Sequence, residues 1–158
     1  MTGVQTCALP IFLGQIARGQ DIMLVGGGQQ RRTFTYIDDG VDCLMRIIDN
    51  KGGVASGKIY NIGNPKNNVS IRELAEMLLG QALKIREYRA SARRVRLRSV
   101  KAETFFGVGY QDIQFRVPSI ANARRDLRWS PKVNMDTSLR LILEAYRKQL
   151  AGASRLLS

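Results

Sequence analysis

A run of glycines followed by amides and guanidiniums forms a candidate anion-binding segment: Gly26, Gly27, Gly28, Gln29, Gln30, Arg31 and Arg32. Glycine permits left-handed backbone angles, so such a turn lets main-chain amides approach an anion closely. A planar guanidinium adds paired, charge-assisted hydrogen bonds to phosphate oxygens. From these residues alone, the segment predicts either a phosphate-binding turn or a plain hairpin turn followed by solvated arginines.

Other residue types limit the chemistry that the chain can perform. The sequence contains no histidine, which excludes imidazole base catalysis and removes the commonest zinc ligand. Cys7 and Cys43 lie far apart without companion ligands, so we expect neither a disulfide nor a metal site. Cys43 is predicted to be a small buried hydrophobe, and Asp38 and Asp39 are predicted to be helix caps rather than an acid/base pair.

The charge balance suggests an anionic partner. With 25 basic and 13 acidic residues the formal net charge is +12, which fits nucleic acid, a membrane surface or a phosphorylated ligand. Much of it lies in the Arg-rich segment, defined as residues 84–101, with Arg86, Arg89, Arg93, Arg94, Arg96 and Arg98. A solvated connection is the first interpretation and a phosphate-binding surface the second. The interleaved Val95 and Leu97 are not base-stacking aromatics, which disfavours a nucleic-acid-binding module.

No stretch reaches the roughly eighteen apolar residues of a membrane helix, and no targeting pattern opens the chain, so a cytoplasmic protein without a membrane partner is expected. Residues 1–11 resemble a translated sequencing adapter and are excluded from the fold, which predicts that coding sequence upstream of Phe12 is missing. The expected division is an adapter-like stretch at 1–11, a native region at 12–150 and a tail at 151–158.

The elements that would position the glycine run alternate between strands and helices, which indicates the α/β class. Strands are predicted at 22–25, 33–37, 58–62 and around Val95 and Leu97. Helices are predicted at 12–19, 38–50, 70–83 and 119–127, and from Asp136 onward, with a long loop at 103–118. The helix at 70–83 has the strongest start signal, because Ser70 and Glu73 form a capping box.

Three segments together resemble the extended short-chain dehydrogenase/reductase family, the NAD-dependent epimerases and dehydratases of nucleotide sugars. They are residues 26–38 (GGGQQRRTFTYID), 60–74 (YNIGNPKNNVSIREL) and 125–132 (RDLRWSPK). Their order corresponds to the C-terminal half of that family over residues 12–150. The resemblance implies a C-terminal substrate-binding part with an incomplete Rossmann-type sheet. It also implies that a missing N-terminal half binds NAD, because the family's glycine-rich motif and its Tyr–Lys pair are absent here.

Residues 107–112 (GVGYQD) and 116–119 (RVPS) are similar to the branch that decarboxylates UDP-glucuronate, which includes the dehydrogenase domain of a bifunctional polymyxin-resistance enzyme and the UDP-4-keto-pentose/UDP-xylose synthases. The resemblance implies that residues 23–32 wrap the UDP, with Arg32 near the diphosphate and Tyr110 on the nucleotide. It gives Arg116 a catalytic role, which we interpret as electrostatic stabilisation of the sugar carboxylate and the enolate. A structural salt bridge is the alternative for Arg116.

Two departures from the branch weaken the substrate assignment. The branch usually has lysine at the position of Met23 and aspartate at the position of Gly26, so one nucleotide contact is expected to be lost and the turn to be altered.

For an intact parent enzyme the resemblance implies oxidation and decarboxylation of UDP-glucuronate to a UDP-4-keto-pentose or UDP-xylose. The parent is expected to form a homo-oligomer. The present chain alone is expected to be inactive and poorly soluble. Two alternatives stay open. One is another nucleotide-sugar epimerase or dehydratase. The other is a basic nucleic-acid-binding module built on the Arg-rich segment.

Overall fold

The computed structural model describes residues 8–103 and 113–156, with side chains as far as residue 147. Helices and strands are mixed along the chain, as expected for the α/β class. In chain order they are α1 (Ala8–Arg18), β1 (Ile22–Val25), β2 (Arg31–Thr33), α2 (Ile37–Asp49), β3 (Asn68–Ser70), α3 (Ile71–Lys84), α4 (Arg86–Ala92), β4 (Leu97–Val100), α5 (Ala121–Asp126) and α6 (Met135–Leu156). Single 3-10 turns lie at Gly26–Gly28 and Lys51–Gly53.

The chain divides into two compact units. The first contains the described residues of Met1–Gln30, Ser70–Asp112 and Leu139–Ser158, and the second those of Arg31–Val69 and Ile113–Ser138. Strands β1 and β4 form a two-stranded sheet, and β2 and β3 form another.

The first unit is built around the parallel pair β1–β4, in which Met23 lies opposite Arg98. Ile22 and Leu24 are fully buried while Met23 between them is exposed, because successive strand residues point to opposite faces. Apolar residues of four helices complete this core: Phe12, Leu13, Ile16, Leu74, Ala75, Leu78, Ala82, Tyr88, Ala92, Leu139 and Leu143. The buried Tyr88 hydroxyl donates to the Leu143 carbonyl at 3.2 Å, which satisfies its one polar atom.

Helix α3 begins as its sequence predicts. The Ser70 hydroxyl accepts from the Glu73 backbone N–H at 3.0 Å, and the Glu73 carboxylate accepts from the Ser70 N–H at 2.7 Å. Both halves of the capping box are therefore present, and two N–H groups that the helix leaves unpaired are satisfied.

The Arg-rich segment is more ordered than a solvated connection. It contains α4 and β4, and several of its guanidiniums donate to carbonyls at helix ends. Arg89 donates to Leu83 O at 3.0 Å and to Lys84 O at 3.4 Å, at the end of α3. Arg96 donates to Arg93 O at 3.0 Å and to Val95 O at 3.2 Å, beyond α4. Cations are favourable at these ends because the last carbonyls of a helix lack partners.

The second unit has its own core. Its buried members are Cys43, Ala55, Ile120, Ala123, Leu127 and Trp129, with Ile47, Tyr60 and Ile62 packed against them. Trp129 is fully buried and its indole Nε1 donates to the Asp39 carbonyl at 3.0 Å. The prediction that Cys43 is a buried hydrophobe is confirmed.

Two strand predictions are wrong. The strand predicted at 33–37 ends at Thr33, because its partner β3 is only three residues long, and Ile37 already begins α2. The strand predicted at 58–62 is not formed, although its composition favours one, and Ile59 is 87% exposed. A strand needs a partner, and no strand of the described residues pairs with 58–62.

Helix α1 begins at Ala8, within the stretch 1–11 that was excluded from the fold, and the starts of α5 and α6 differ by one or two residues from their predicted positions. Helix α5 begins after Ile120, without a side-chain cap, rather than at residue 119. At the start of α6 the Asn134 side chain accepts from the Thr137 N–H at 2.9 Å, while Asp136, where this helix was predicted to begin, lies in the first turn. Short polar residues cluster near helix starts, and geometry selects which of them caps.

Helix α2 exposes the apolar stripe that its sequence contains. Val41, Leu44, Met45 and Ile48 recur at helical spacing, yet all four are exposed, and the side of the helix that carries Asp39 and Cys43 is buried. The periodicity therefore identifies the helix correctly but does not identify its buried face.

Candidate functional site

The glycine turn joins two strands that belong to different sheets. Gly26, Gly27 and Gly28 have φ angles of +58°, +73° and +72°, which glycine adopts without the steric cost that other residues incur. Strand β1, before the turn, pairs with β4, and strand β2, after it, pairs with β3. The hairpin interpretation of this turn is therefore wrong.

The first turn of α3 anchors the glycine turn. A Cβ at Gly28 would lie 2.9 Å from the Arg72 backbone nitrogen, so this position requires glycine for close approach. The Arg72 Nε donates to the Gly27 carbonyl at 3.1 Å, and the Ile71 N–H donates to the Gln30 carbonyl at 3.1 Å. The group that approaches this turn among the described residues is the chain's own helix, and binding of an anion there stays a prediction.

Of the other predicted binding residues in the first unit, Met23 and Gln29 are exposed and Gln30 is half-buried. Met23 is 42% exposed on the outer face of β1, beside Arg98 of β4. The Arg98 Nε donates to an Asp21 oxygen at 3.0 Å, and this hydrogen bond is the main cause that lowers the pKa of the Asp21 carboxyl. A cation therefore lies beside Met23 on the adjacent strand.

Arg31 and Arg32 are half-buried and bind main-chain carbonyls within the second unit. The Arg31 Nη2 donates to Asn68 O at 2.6 Å. The Arg32 Nη1 donates to Arg31 O at 2.8 Å and to Ile113 O at 2.7 Å. The alternative of solvated arginines is wrong for both, because each guanidinium joins β2 to another segment.

Arg116 lies on an extended segment held along β2. The Arg31 N–H donates to Gln114 O at 2.8 Å, and the Thr33 hydroxyl donates to the Arg116 carbonyl at 3.1 Å. The Arg116 side chain is exposed, and within the described residues its guanidinium makes no hydrogen bond or ion pair. The salt bridge considered as the structural alternative for Arg116 is thus absent from this part of the chain.

The same segment is fixed again just after Arg116. The Pro118 ring packs so closely on Gly63 that a Cβ at Gly63 would overlap it. The Asn61 Nδ2 donates to the Ser119 carbonyl at 3.2 Å. Sequence reasoning did not identify Thr33 or Gly63 as supports of Arg116. The available signal was that Thr33 lies within the family-like segment 26–38 and Gly63 within 60–74.

A second group of ionisable residues surrounds Asp126. Its carboxylate pairs with Lys58 Nζ at 3.1 Å and with Arg125 Nε at 2.7 Å, and the Tyr60 hydroxyl donates to it at 3.2 Å. The hydrogen bonds from Arg125 and Lys58 hold the pKa of Asp126 well below its usual range. Burial and the nearby Asp126 raise the pKa of Tyr60, which keeps this phenol protonated as a hydrogen-bond donor.

The remaining predicted site residue, Tyr110, lies outside the described residues. Among the residues that the structure does describe, no three His, Cys, Asp or Glu side chains group as metal ligands. The helices of this same part of the chain lack the combination of length and hydropathy needed to cross a bilayer.

Comparison with known proteins relates this geometry to a family. Residues 2–63 match the NAD dependent epimerase/dehydratase family. The matched range begins within residues 1–11. That these residues derive from a sequencing adapter stays a prediction.

Several solved structures are similar to the chain. The PbgP3 protein from Burkholderia pseudomallei is 48% identical, with a TM-score of 0.80, over 92% of this chain and 40% of that one. UDP-glucuronic acid 4-epimerase from Bacillus cereus, solved with UDP-glucuronic acid and NAD, is 24% identical, with a TM-score of 0.73, over 92% and 40% of the two chains. UDP-glucose 4-epimerase from Thermotoga maritima, solved with UDP-glucose, is 23% identical, with a TM-score of 0.65, over 90% and 40%.

The chain thus spans about 40% of the length of these structures. The two epimerases, at less than 25% identity, share the fold with it. The family match over residues 2–63 and the 48% identity to PbgP3 support the NAD dependent epimerase/dehydratase family for this chain.

Proposed function

We propose that this chain is the nucleotide-sugar-binding part of an enzyme that decarboxylates UDP-glucuronate, giving a UDP-4-keto-pentose or UDP-xylose. The observation that carries the proposal is the state of Arg116. Its side chain is exposed and has no partner among the described residues. Its segment is held by hydrogen bonds from the Thr33 hydroxyl and the Arg31 backbone N–H. An arginine with a fixed backbone and a guanidinium without a protein partner is suited to bind an anionic ligand group.

The chemistry of the substrate fits a cation at this place. Once the sugar is a β-keto acid, loss of CO2 leaves an enolate whose negative charge a guanidinium stabilises. Arginine stays protonated at working pH, so its contribution is electrostatic and it does not act as the proton donor. Arg116 would therefore bind the carboxylate before the loss of CO2 and stabilise the enolate after it.

In this proposal residues 23–32 form the wall that binds the nucleotide, with Arg32 near the diphosphate. The contacts of Arg32 add a second role, since its Nη1 donates to the Ile113 carbonyl and so holds the segment that leads to Arg116. Tyr110, from outside the described residues, is proposed to contact the same nucleotide.

The described residues do not fit the dinucleotide itself. A glycine-rich turn binds the pyrophosphate of NAD where it leads from a strand into a helix. Here the turn Gly26–Gly28 leads from β1 into another strand, and the connections that follow β2 and β3 into helices contain no glycine. We therefore place NAD binding, within the proposal, on sequence outside these residues.

A chimera tests the proposal directly. In this chimeric enzyme the present chain replaces the matching segment of the PbgP3 protein, and both proteins are assayed with NAD and UDP-glucuronate. The expected result is release of CO2 by the chimera. The variant Arg116→Ala should lose about 100- to 1000-fold in CO2 release, a typical cost of removing one electrostatic stabiliser, with little change in UDP affinity.

The alternative within the family is an epimerase or dehydratase that acts on a different sugar, and Met23 and Gly26 favour it because the decarboxylating branch usually has lysine and aspartate there. Conversion of a UDP-sugar without release of CO2, unaffected by Arg116→Ala, would establish that alternative and reject the decarboxylase.

A further inference from the structure

Arg98 emerges from the Arg-rich segment as a candidate ligand contact because of strand register. Parallel pairing places Met23 opposite Arg98, and paired residues of adjacent strands project from the same face of a sheet. Both residues are exposed, and the Arg98 side chain retains 63% of its accessible surface. The outer face of β1, which leads into the glycine turn, is therefore flanked by a guanidinium from β4.

Three other arginines of the segment have structural partners. Arg89 and Arg96 donate to main-chain carbonyls at helix ends, and the Arg94 guanidinium packs against Gly19 at the end of α1. Arg98 differs from these three, because it pairs with a side chain, that of Asp21, through its Nε. The terminal nitrogens of a guanidinium form a donor pair of their own, which suits a phosphate oxygen or a carboxylate.

Asp21 fixes this arginine in place. One Asp21 oxygen accepts from Arg98 Nε at 3.0 Å, and the other accepts from the Arg96 N–H at 2.8 Å, just before β4 begins. A guanidinium held by its Nε loses less rotamer freedom when a ligand binds. Arg98 is thus a solvent-exposed cation that Asp21 restrains on one edge, which leaves its terminal nitrogens toward solvent.

We propose that Arg98 contacts the diphosphate of the bound nucleotide and supplies the cation that Met23 cannot. The inference rests on the proposed function, since it assigns a new residue to the same nucleotide-binding wall. In this inference the Arg-rich segment contributes to nucleotide binding through the single side chain of Arg98 and not through its total positive charge.

The experiment measures UDP affinity of the chimeric enzyme by calorimetry. We expect Arg98→Ala to weaken UDP binding by about 10- to 100-fold, as for the loss of one charge-assisted contact. In the Arg98→Ala background, Met23→Lys should recover at least about threefold in affinity, because it places a cation on the same face of the sheet. The matched control is Arg86→Ala, which removes one charge from the same segment at an exposed position on α4 and should change affinity less than about twofold.

The outcomes separate this inference from the proposed function. An Arg98→Ala protein that binds UDP within about twofold of the parent, or a Met23→Lys change that recovers nothing, overturns the role of Arg98 and leaves the proposed function standing. A chimera that does not bind UDP at all overturns both. Because Arg98→Ala also breaks the ion pair with Asp21, Asp21→Asn is measured in parallel. If Asp21→Asn weakens binding as much as Arg98→Ala does, the loss comes from the disturbed strand and the inference is rejected.

Discussion

The carboxylate of Asp39 accepts a hydrogen bond from the Val133 backbone N–H at 2.9 Å, across 94 positions of sequence. It also accepts from the Lys132 N–H at 3.0 Å. Asp39 is 7% exposed and lies in the first turn of α2, whose N-cap position is Tyr36 without a side-chain bond. The cap predicted for Asp39 is therefore wrong, since its carboxylate accepts from the backbone N–H groups of Lys132 and Val133 and not from those of its own helix.

Removal of this carboxylate should destabilise the second unit. Asp39→Ala leaves two backbone N–H groups without their acceptor, which costs about 1–3 kcal/mol of unfolding free energy in urea. The matched control is Asp38→Ala, because Asp38 is exposed on the same helix turn and should change stability by less than about 0.5 kcal/mol. Equal effects of the two substitutions would contradict the contact.

The glycine turn offers a second pair of matched substitutions. Gly28→Ala combines a positive φ with a Cβ placed 2.9 Å from the Arg72 nitrogen, whereas a Cβ at Gly26 meets nothing within 4 Å. Gly26→Ala should therefore cost about 1–2 kcal/mol from its backbone angle alone, and Gly28→Ala more. Thermal unfolding of the two variants measures the difference, and a larger loss for Gly26→Ala would show that α3 does not approach the turn as described.

Thr33 should affect the reaction through Arg116. Thr33→Val removes the hydroxyl that donates to the Arg116 carbonyl at 3.1 Å, and in the chimeric enzyme we expect kcat for CO2 release to fall about tenfold with UDP affinity unchanged.

Thr33→Ser keeps the hydroxyl and should retain most of kcat. Thr35→Val, two residues further along, makes the same chemical change outside this contact. If Thr33→Val and Thr35→Val lower kcat equally, Thr33 does not position Arg116.

The ion pairs of Asp126 should make stability depend on pH in the acid range. Arg125 and Lys58 lower the pKa of the folded carboxylate below its usual 3.8, so its contribution is fully present above about pH 4. As pH falls further, the unfolded chain takes up the proton first and the contribution is lost.

Urea unfolding of the parent and of Asp126→Asn from pH 7 to pH 2 measures this effect. The stability difference between the two proteins should be largest near neutral pH and should shrink below pH 4. A difference that grows on acidification would reverse the assigned sign.

The local elements of this protein follow from its sequence. The capping box of Ser70 and Glu73 joins residues three positions apart, so spacing alone predicts it. Strand β1 was predicted with its observed bounds, Ile22–Val25, and the glycine turn was predicted where three positive φ angles occur. The similarity of residues 26–38 and 60–74 to one family was also readable from residue order, and the match at residues 2–63 supports that family.

The tertiary structure decided which distant segments meet. Hydrophobic periodicity identified α2, yet the apolar side of that helix is exposed and a different side is buried. The pattern shows which residues share one side of the helix, but it does not show which side packs against the rest of the protein. The strand predicted at 58–62 is unpaired for the same reason. The neighbours of Met23, Asp39 and Arg116 lie 75, 94 and 83 positions away respectively. Such contacts depend on the path of the whole chain, which no local spacing encodes.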